Sequence, residues 1–195
     1  MKKNIILAGV GGQGILSIAT VIGYMAVKQD LFLKQSEVHG MSQRGGDVSS
    51  HLRLSSKEIF SDLIPKGKAD LILSVEPLEA LRYLPWLNKE GWIVTNEKPF
   101  VNINNYPDLN IVHESIRKQS RHVLLDAEQM AKDIGSSRSA NMVMLGAASP
   151  FLGFETKTYI DALRFIFGKK GEDIVNKNIE AFMAGKEFAD KSVVV

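Results

Sequence analysis

The sequence predicts a three-layer α/β/α fold around a mostly parallel sheet, and two observations carry that prediction. Short apolar runs alternate with segments of helical period, the pattern of strands joined through crossover helices. A glycine cluster closes the first apolar run just where the first helical period opens, as in a Rossmann-like sheet.

Taken in order, Asn4-Ile5-Ile6-Leu7-Ala8 reads as the first strand. Ile15, Ile18, Ala19, Ile22 and Met25 then recur at the offsets of one helical face, with Leu16 and Val21 off that stripe, so a well-buried helix follows. Residues 31–38 supply a second strand candidate. Residues 47–54 alternate through Val48, Ser50, Leu52 and Leu54, as a half-exposed strand does. Residues 69–75 form a buried central strand, and Pro77 suits the first turn of a helix that Leu78, Leu81 and Leu84 carry to Trp86. Residues 92–95, 110–112 and 122–125 complete the strand candidates. Beyond Asp126 helices dominate. Residues 141–151 are apolar and rich in small side chains, with Ser137 or Ser139 placed as the helix cap. Ile160, Leu163 and Phe167 share a face before Gly168, and Val175, Ile179, Phe182 and Met183 share one before Gly185. Both glycines read as helix stops. With no internal repeat and no long linker, residues 1–195 are expected to form one domain with a helical C-terminal third.

Composition removes several function classes. Twenty-four Lys+Arg against 22 Asp+Glu leave a charge of +2, too small and too evenly spread for a nucleic-acid binder. The absence of cysteine excludes disulfides, thiolate zinc sites, a cysteine nucleophile and thiolate-held iron–sulfur clusters in this chain. The longest apolar stretch, residues 15–27, contains Ser17 and Thr20 and is shorter than the ~20 residues a bilayer span needs. No signal peptide is legible at the N-terminus, so no membrane partner and a cytoplasmic location are expected.

Two segments carry chemistry. Gly9, Gly11 and Gly14, with Gly12 and Gln13 between them, satisfy G-x-G-x-x-G between a strand and a helix. Such a turn accepts a phosphate at the helix N-terminus or serves as a packing or interface turn. The dinucleotide fingerprint also needs an acid at the end of the second strand, and neither Asp30 nor Glu37 fits that place well. The second segment, residues 36–47, gathers Glu37, His39, Arg44, Gly45 and Gly46. Arg44 is suited to a carboxylate or phosphate, an interface, or a structural bridge to Glu37. His39 is a proton carrier near neutral pH or a structural imidazole. His51, His113 and His122 are too scattered to form a metal motif, and the serine cluster before Asn141 reads first as a cap.

The glycine turn Gly-Val-Gly-Gly-Gln-Gly-Ile-Leu, the segment Ser-Glu-Val-His-Gly-Met-Ser-Gln-Arg-Gly-Gly-Asp-Val, the strand Ser-Ser-His-Leu-Arg and the helix at residues 141–147 together resemble the gamma-type subunits of 2-oxoacid:ferredoxin oxidoreductases, the indolepyruvate enzymes above all. The resemblance implies an accessory subunit of a complex that oxidatively decarboxylates aryl pyruvates to acyl-coenzyme A and reduces ferredoxin. It places thiamine diphosphate, Mg and [4Fe-4S] clusters on a larger partner subunit, with coenzyme A as co-substrate. The isolated chain is then expected to be inactive and free to self-associate. Gly9 to Gly14 and Arg44-Gly45-Gly46 match family motifs without an assigned catalytic step. The alternative is a stand-alone nucleotide- or coenzyme A-binding module.

Overall fold

The computed structural model describes residues 1–40, 46–101 and 103–193. In chain order the elements are β1 (Lys2–Val10), α1 (Ile15–Lys28), β2 (Phe32–His39), β3 (Asp47–Ser55), β4 (Ala69–Ser74), α2 (Pro77–Arg82), β5 (Leu87–Asn96), α3 (Leu109–Arg117), β6 (His122–Leu125), α4 (Ala127–Asp133), α5 (Ala140–Ala148), α6 (Thr156–Phe167) and α7 (Glu172–Val193). The strands form one sheet in the order β2-β3-β1-β4-β5-β6. β1, β4, β5 and β6 are parallel neighbours, whereas β3 is antiparallel to both β1 and β2. Among the described strands only β3 is reversed, so the sheet is mostly parallel, as expected.

Central strands carry apolar residues on both faces because helices cover both. Ile5, Leu7, Leu71 and Leu73 pack towards α1, α5, α6 and α7. Their alternates Ile6, Ala8 and Ile72 pack with Ile93 against Ala80 and Tyr83 on the α2 side. Each fully buried Ile or Leu side chain stabilises the fold by ~1.5–3 kcal/mol relative to exposure. Met142, Val143, Met144 and Leu145 are each 0–1% exposed, so α5 is buried all round, as its unbroken apolar run predicts.

Four sequence expectations are corrected. Residues 110–112 are helical, within α3. Asp108 caps that helix by accepting the Asn110 N–H at 2.8 Å, and Val112 and Ile116, one turn apart, are the buried pair while Ile111 is exposed. A β-branched triplet is too short for periodicity to separate strand from helix. Gly185 does not stop a helix: α7 runs through it to Val193. A Cβ at Gly185 would lie 1.9 Å from the Val143 carbonyl oxygen, and one at Gly146 would lie 1.9 Å from that of Phe182. These two glycines let α5 and α7 cross with backbones nearly touching. Ser139 holds the N-cap position of α5 without capping it, because its hydroxyl donates to Asn178 Oδ1 at 3.2 Å; Ser137 instead opens a short 3-10 turn. Gly168 does end α6, though in right-handed conformation and leading into another 3-10 turn. Similarly, α2 ends at Arg82 and a 3-10 turn spans Leu84–Trp86.

Candidate functional site

After β1 the chain moves to one side of the sheet, through β2 and β3; after β4 it moves to the other, through β5 and β6. Between the carboxyl ends of β1 and β4 the lateral direction reverses, the place where open α/β sheets hold ligands. A cavity of about 400 Å³ opens there, lined by Gly12, Gln13, Asn96, Lys132, Arg138 and Asn141 among others.

The glycine turn shapes this cavity. Gly9 lies near the end of β1, Gly11 and Gly12 form the turn, and Gly14 caps α1 in the left-handed conformation, φ 81°. A Cβ at Gly14 would meet Asn141 Nδ2 at 2.4 Å, and that same amide donates to the Gly14 carbonyl at 3.2 Å. Conformation and close approach therefore both require glycine. Gln13 is a structural tie. Its Oε1 accepts the Val10 N–H at 2.8 Å and its Nε2 donates to the Val75 carbonyl at 3.4 Å. The Gly11 N–H donates to the Gly46 carbonyl at 2.9 Å, joining the two glycine motifs through their backbones.

Glu37 and His39 lie elsewhere. They share one face of the edge strand β2 and touch each other through His39 Nε2 and Glu37 Oε1, while Gln35 Nε2 donates to Glu37 Oε2 at 3.2 Å. His39 is level with Val48 on β3, which is level with Gly9 on β1. Two strand spacings, about 9.5 Å, thus separate His39 from the turn. Because β3 stands between β1 and β2, Glu37 is not where a dinucleotide fold keeps its ribose-binding acid. Arg44 and Gly45, with residues 41–43, lie outside the described residues.

The remaining histidines serve the backbone. His51 Nδ1 accepts the Ile64 N–H at 2.9 Å, and its ring meets Trp86 edge-on; burial pushes its pKa down and keeps it neutral. His113 bonds the Glu97 carbonyl at 2.8 Å and His122 the Gln119 carbonyl at 2.7 Å. Among the described residues no three His, Asp or Glu side chains converge as metal ligands. The serine cluster, in contrast, contributes Ser137, Arg138 and Asn141 to the cavity wall. In the sequence alone that role stands below capping. The signal was there, an arginine among serines at a helix start, but nothing in the sequence placed it opposite the glycine turn.

Beside Val75, Glu76 is 1% exposed and accepts from the Glu79 N–H at 2.8 Å, the Phe100 N–H at 3.4 Å and the Tyr106 hydroxyl. It thereby caps α2 and holds the chain after β5 against the sheet end. Burial raises its pKa above the usual 4.5, the hydrogen bonds offsetting part of the shift. A carboxyl with a raised folded pKa favours the folded state most below its unfolded value and loses that contribution as pH rises through the folded one. Glu76→Gln should therefore gain stability relative to the parent chain as pH rises above the unfolded carboxylate range and through the raised folded value, read from urea midpoints at each pH. A gap that stays constant across that range would refute the assignment.

The profile of the family described as pyruvate ferredoxin/flavodoxin oxidoreductase matches residues 4–188. The chain belongs to that family. Among its relatives, "Indolepyruvate oxidoreductase subunit IorB" of Methanothermobacter thermautotrophicus is 38% identical over 201 residues, covering 98% of this chain and all of the relative. The 2-oxoglutarate:ferredoxin oxidoreductase of Magnetococcus marinus, solved with 2-oxoglutarate, coenzyme A and succinyl-CoA bound, superposes with a TM-score of 0.78 at 26% identity. That match covers 97% of this chain and 31% of the longer one. The gamma subunit of a keto/oxoacid ferredoxin oxidoreductase from Geobacter sulfurreducens shares the fold, with a TM-score of 0.70 at 22% identity and 98% of both chains covered. None of the described helices is long and apolar enough to cross a membrane.

Proposed function

We propose that this chain is the small subunit of an indolepyruvate-type 2-oxoacid:ferredoxin oxidoreductase, and that its glycine-turn cleft holds phosphate groups of coenzyme A. The observation that carries the subunit reading is the end-to-end match, at 38% identity, to a relative named as such a subunit. The complex would decarboxylate an aryl pyruvate oxidatively, transfer the acyl group to coenzyme A and pass electrons to ferredoxin. Thiamine diphosphate with its Mg, and the [4Fe-4S] clusters, fit the larger catalytic partner. They do not fit this chain, which has no cysteine and, among its described residues, no three-ligand set.

What these residues do is bind and orient. Lys132 and Arg138 face the cleft against one carboxylate, Glu128, and the first turn of α1 leaves backbone N–H groups that a helix cannot satisfy internally. A diphosphate suits that combination, and coenzyme A is bound in the Magnetococcus marinus relative. Glu37 and His39 on the edge strand, with Gly46 tied to the turn, are assigned as contact surface for the partner. A stand-alone dinucleotide reading is weaker, because β3 removes the ribose acid from its place. The test mixes the purified chain with the larger subunit of the same organism. Indolepyruvate- and coenzyme A-dependent reduction of ferredoxin should need both. Turnover by this chain alone would overturn the reading.

A further inference from the structure

The outer face of α1 is exposed and nearly uncharged. Among its 14 residues the single charge is Lys28, the last. Leu16, Thr20 and Val27 fall within about 40° of one another around the helix axis. All three are exposed, Leu16 at 49% and Val27 at 63%. The Thr20 hydroxyl donates to the Leu16 carbonyl at 2.7 Å, so even that donor is satisfied within the helix. Beside the stripe, Phe165 of α6 is 67% exposed and stacks on Tyr24 with ring centroids 4.5 Å apart. A helix face turned to water ordinarily carries charge, and contiguous exposed apolar groups mark a surface that binds.

The edge strand extends this surface. Leu33 and His39 are level with Leu54 and Val48 of β3, which pack with α1, so Glu37 and His39 point to the α1 side of the sheet. A Cβ at Gly23 would lie 3.3 Å from Leu33 Cδ2. Glu37 lies about 13 Å further along β2, the rise of about nine helical residues, which on the returning α1 reaches the turn that carries Leu16. The carboxylate and imidazole thus border the apolar stripe. An apolar centre with an aromatic anchor and a polar rim is the layout of a permanent protein interface.

The relatives indicate what covers it. In the Magnetococcus marinus oxidoreductase this fold is 31% of one chain, so a peptide link holds it to the remainder. In the Methanothermobacter thermautotrophicus relative, matched along all of its length, it stands as a chain of its own. A separate subunit lacks the millimolar effective concentration that a covalent link supplies and has to replace it with buried surface. We infer that the outer face of α1, with Phe165, is the surface on which the larger subunit seats an apolar face of its own. The inference rests on the subunit reading proposed above. A charge on that partner face would lose its hydration with no counter-charge on the stripe, so the contacting groups are aliphatic or aromatic.

The test measures the Kd of the full chain for the larger subunit of the same organism by surface plasmon resonance. Val27→Lys and Phe165→Lys, made singly, should each weaken binding about thirtyfold, the factor that about 2 kcal/mol gives. Both side chains are exposed, so the thermal midpoint of each isolated variant should match the parent's. Val27→Lys keeps the test open should loss of the Phe165–Tyr24 stack unsettle α6. Ile111→Lys is the control. It is 62% exposed on α3, which packs beside α2 on the opposite side of the sheet, and should leave the Kd unchanged. A parent chain that does not bind the larger subunit overturns the subunit reading together with the face. A parent chain that binds, with neither variant weakened or with Ile111→Lys weakened equally, overturns the face alone. A parent chain that sediments as a dimer, made monomeric by Phe165→Lys while the Kd for the larger subunit holds, gives the face to a second copy and overturns the proposal.

Discussion

Gly185→Ala should lower the thermal midpoint of this chain, the opposite of what replacing a mid-helix glycine usually does. In an ordinary helix interior alanine gains ~0.5–1 kcal/mol over glycine. Here the new methyl would sit 1.9 Å from the Val143 carbonyl oxygen, 2.8 Å from its carbon and 3.0 Å from the Ala147 nitrogen. Those are backbone atoms of the most deeply buried helix, so relief requires α5 and α7 to separate. Overpacking of this kind costs about 1–3 kcal/mol and sometimes more, which outweighs the helical gain. For a chain of this size each kcal/mol moves the midpoint by ~2–4 °C, so a fall of several degrees is expected. Gly146→Ala should behave alike, since its methyl would meet the Phe182 carbonyl oxygen at 1.9 Å. The two should combine less than additively, because either one opens the same crossing. Gly168→Ala is the internal control. It is right-handed, with nothing within 4 Å of the added methyl, and should leave the midpoint level or raise it. A Gly185→Ala chain as stable as its parent would refute the close crossing.

Much of this architecture was legible in the order of apolar runs. The double-sided burial of β1, β4 and β5 comes from unbroken runs such as Leu71-Ile72-Leu73, and the buried character of α5 from Met142 to Ala148. Misreadings arose where one residue type serves two physical ends. Glycine at 185 has the look of a stop because lack of a Cβ ends helices; here that lack admits another backbone. Ile111 and Val112 looked strand-like, and only the burial of Val112 with Ile116 decides for a helix. The site divides in the same way. Gly14 and Gly12 were identifiable from local spacing, and they line or shape the cavity. Arg138, Lys132 and Asn141 enter from more than a hundred residues away, through the folding of α4 and α5 onto the turn. Glu37 and His39 stay on the edge strand because β3 was inserted beside β1, a pairing that periodicity does not encode.

The largest functional effect is expected from Arg138→Ala. Arg138 lines the glycine-turn cleft, and it is exposed, so its removal should leave the fold intact. Hydrogen bonds from a charged donor contribute about 1.5–3 kcal/mol, and exposure takes part of that away. A loss of about 1.4 kcal/mol, or tenfold, in coenzyme A binding is the conservative expectation. On the proposed division of labour the oxoacid would be bound and activated on the larger subunit, and its KM should not sense the change. The decisive measurement is therefore the steady-state rate of ferredoxin reduction by the reconstituted two-subunit enzyme, with coenzyme A and indolepyruvate varied in turn. The account predicts that Arg138→Ala raises the KM for coenzyme A about tenfold, with the KM for indolepyruvate unchanged. An unchanged KM for coenzyme A, or a shift confined to indolepyruvate, would contradict it.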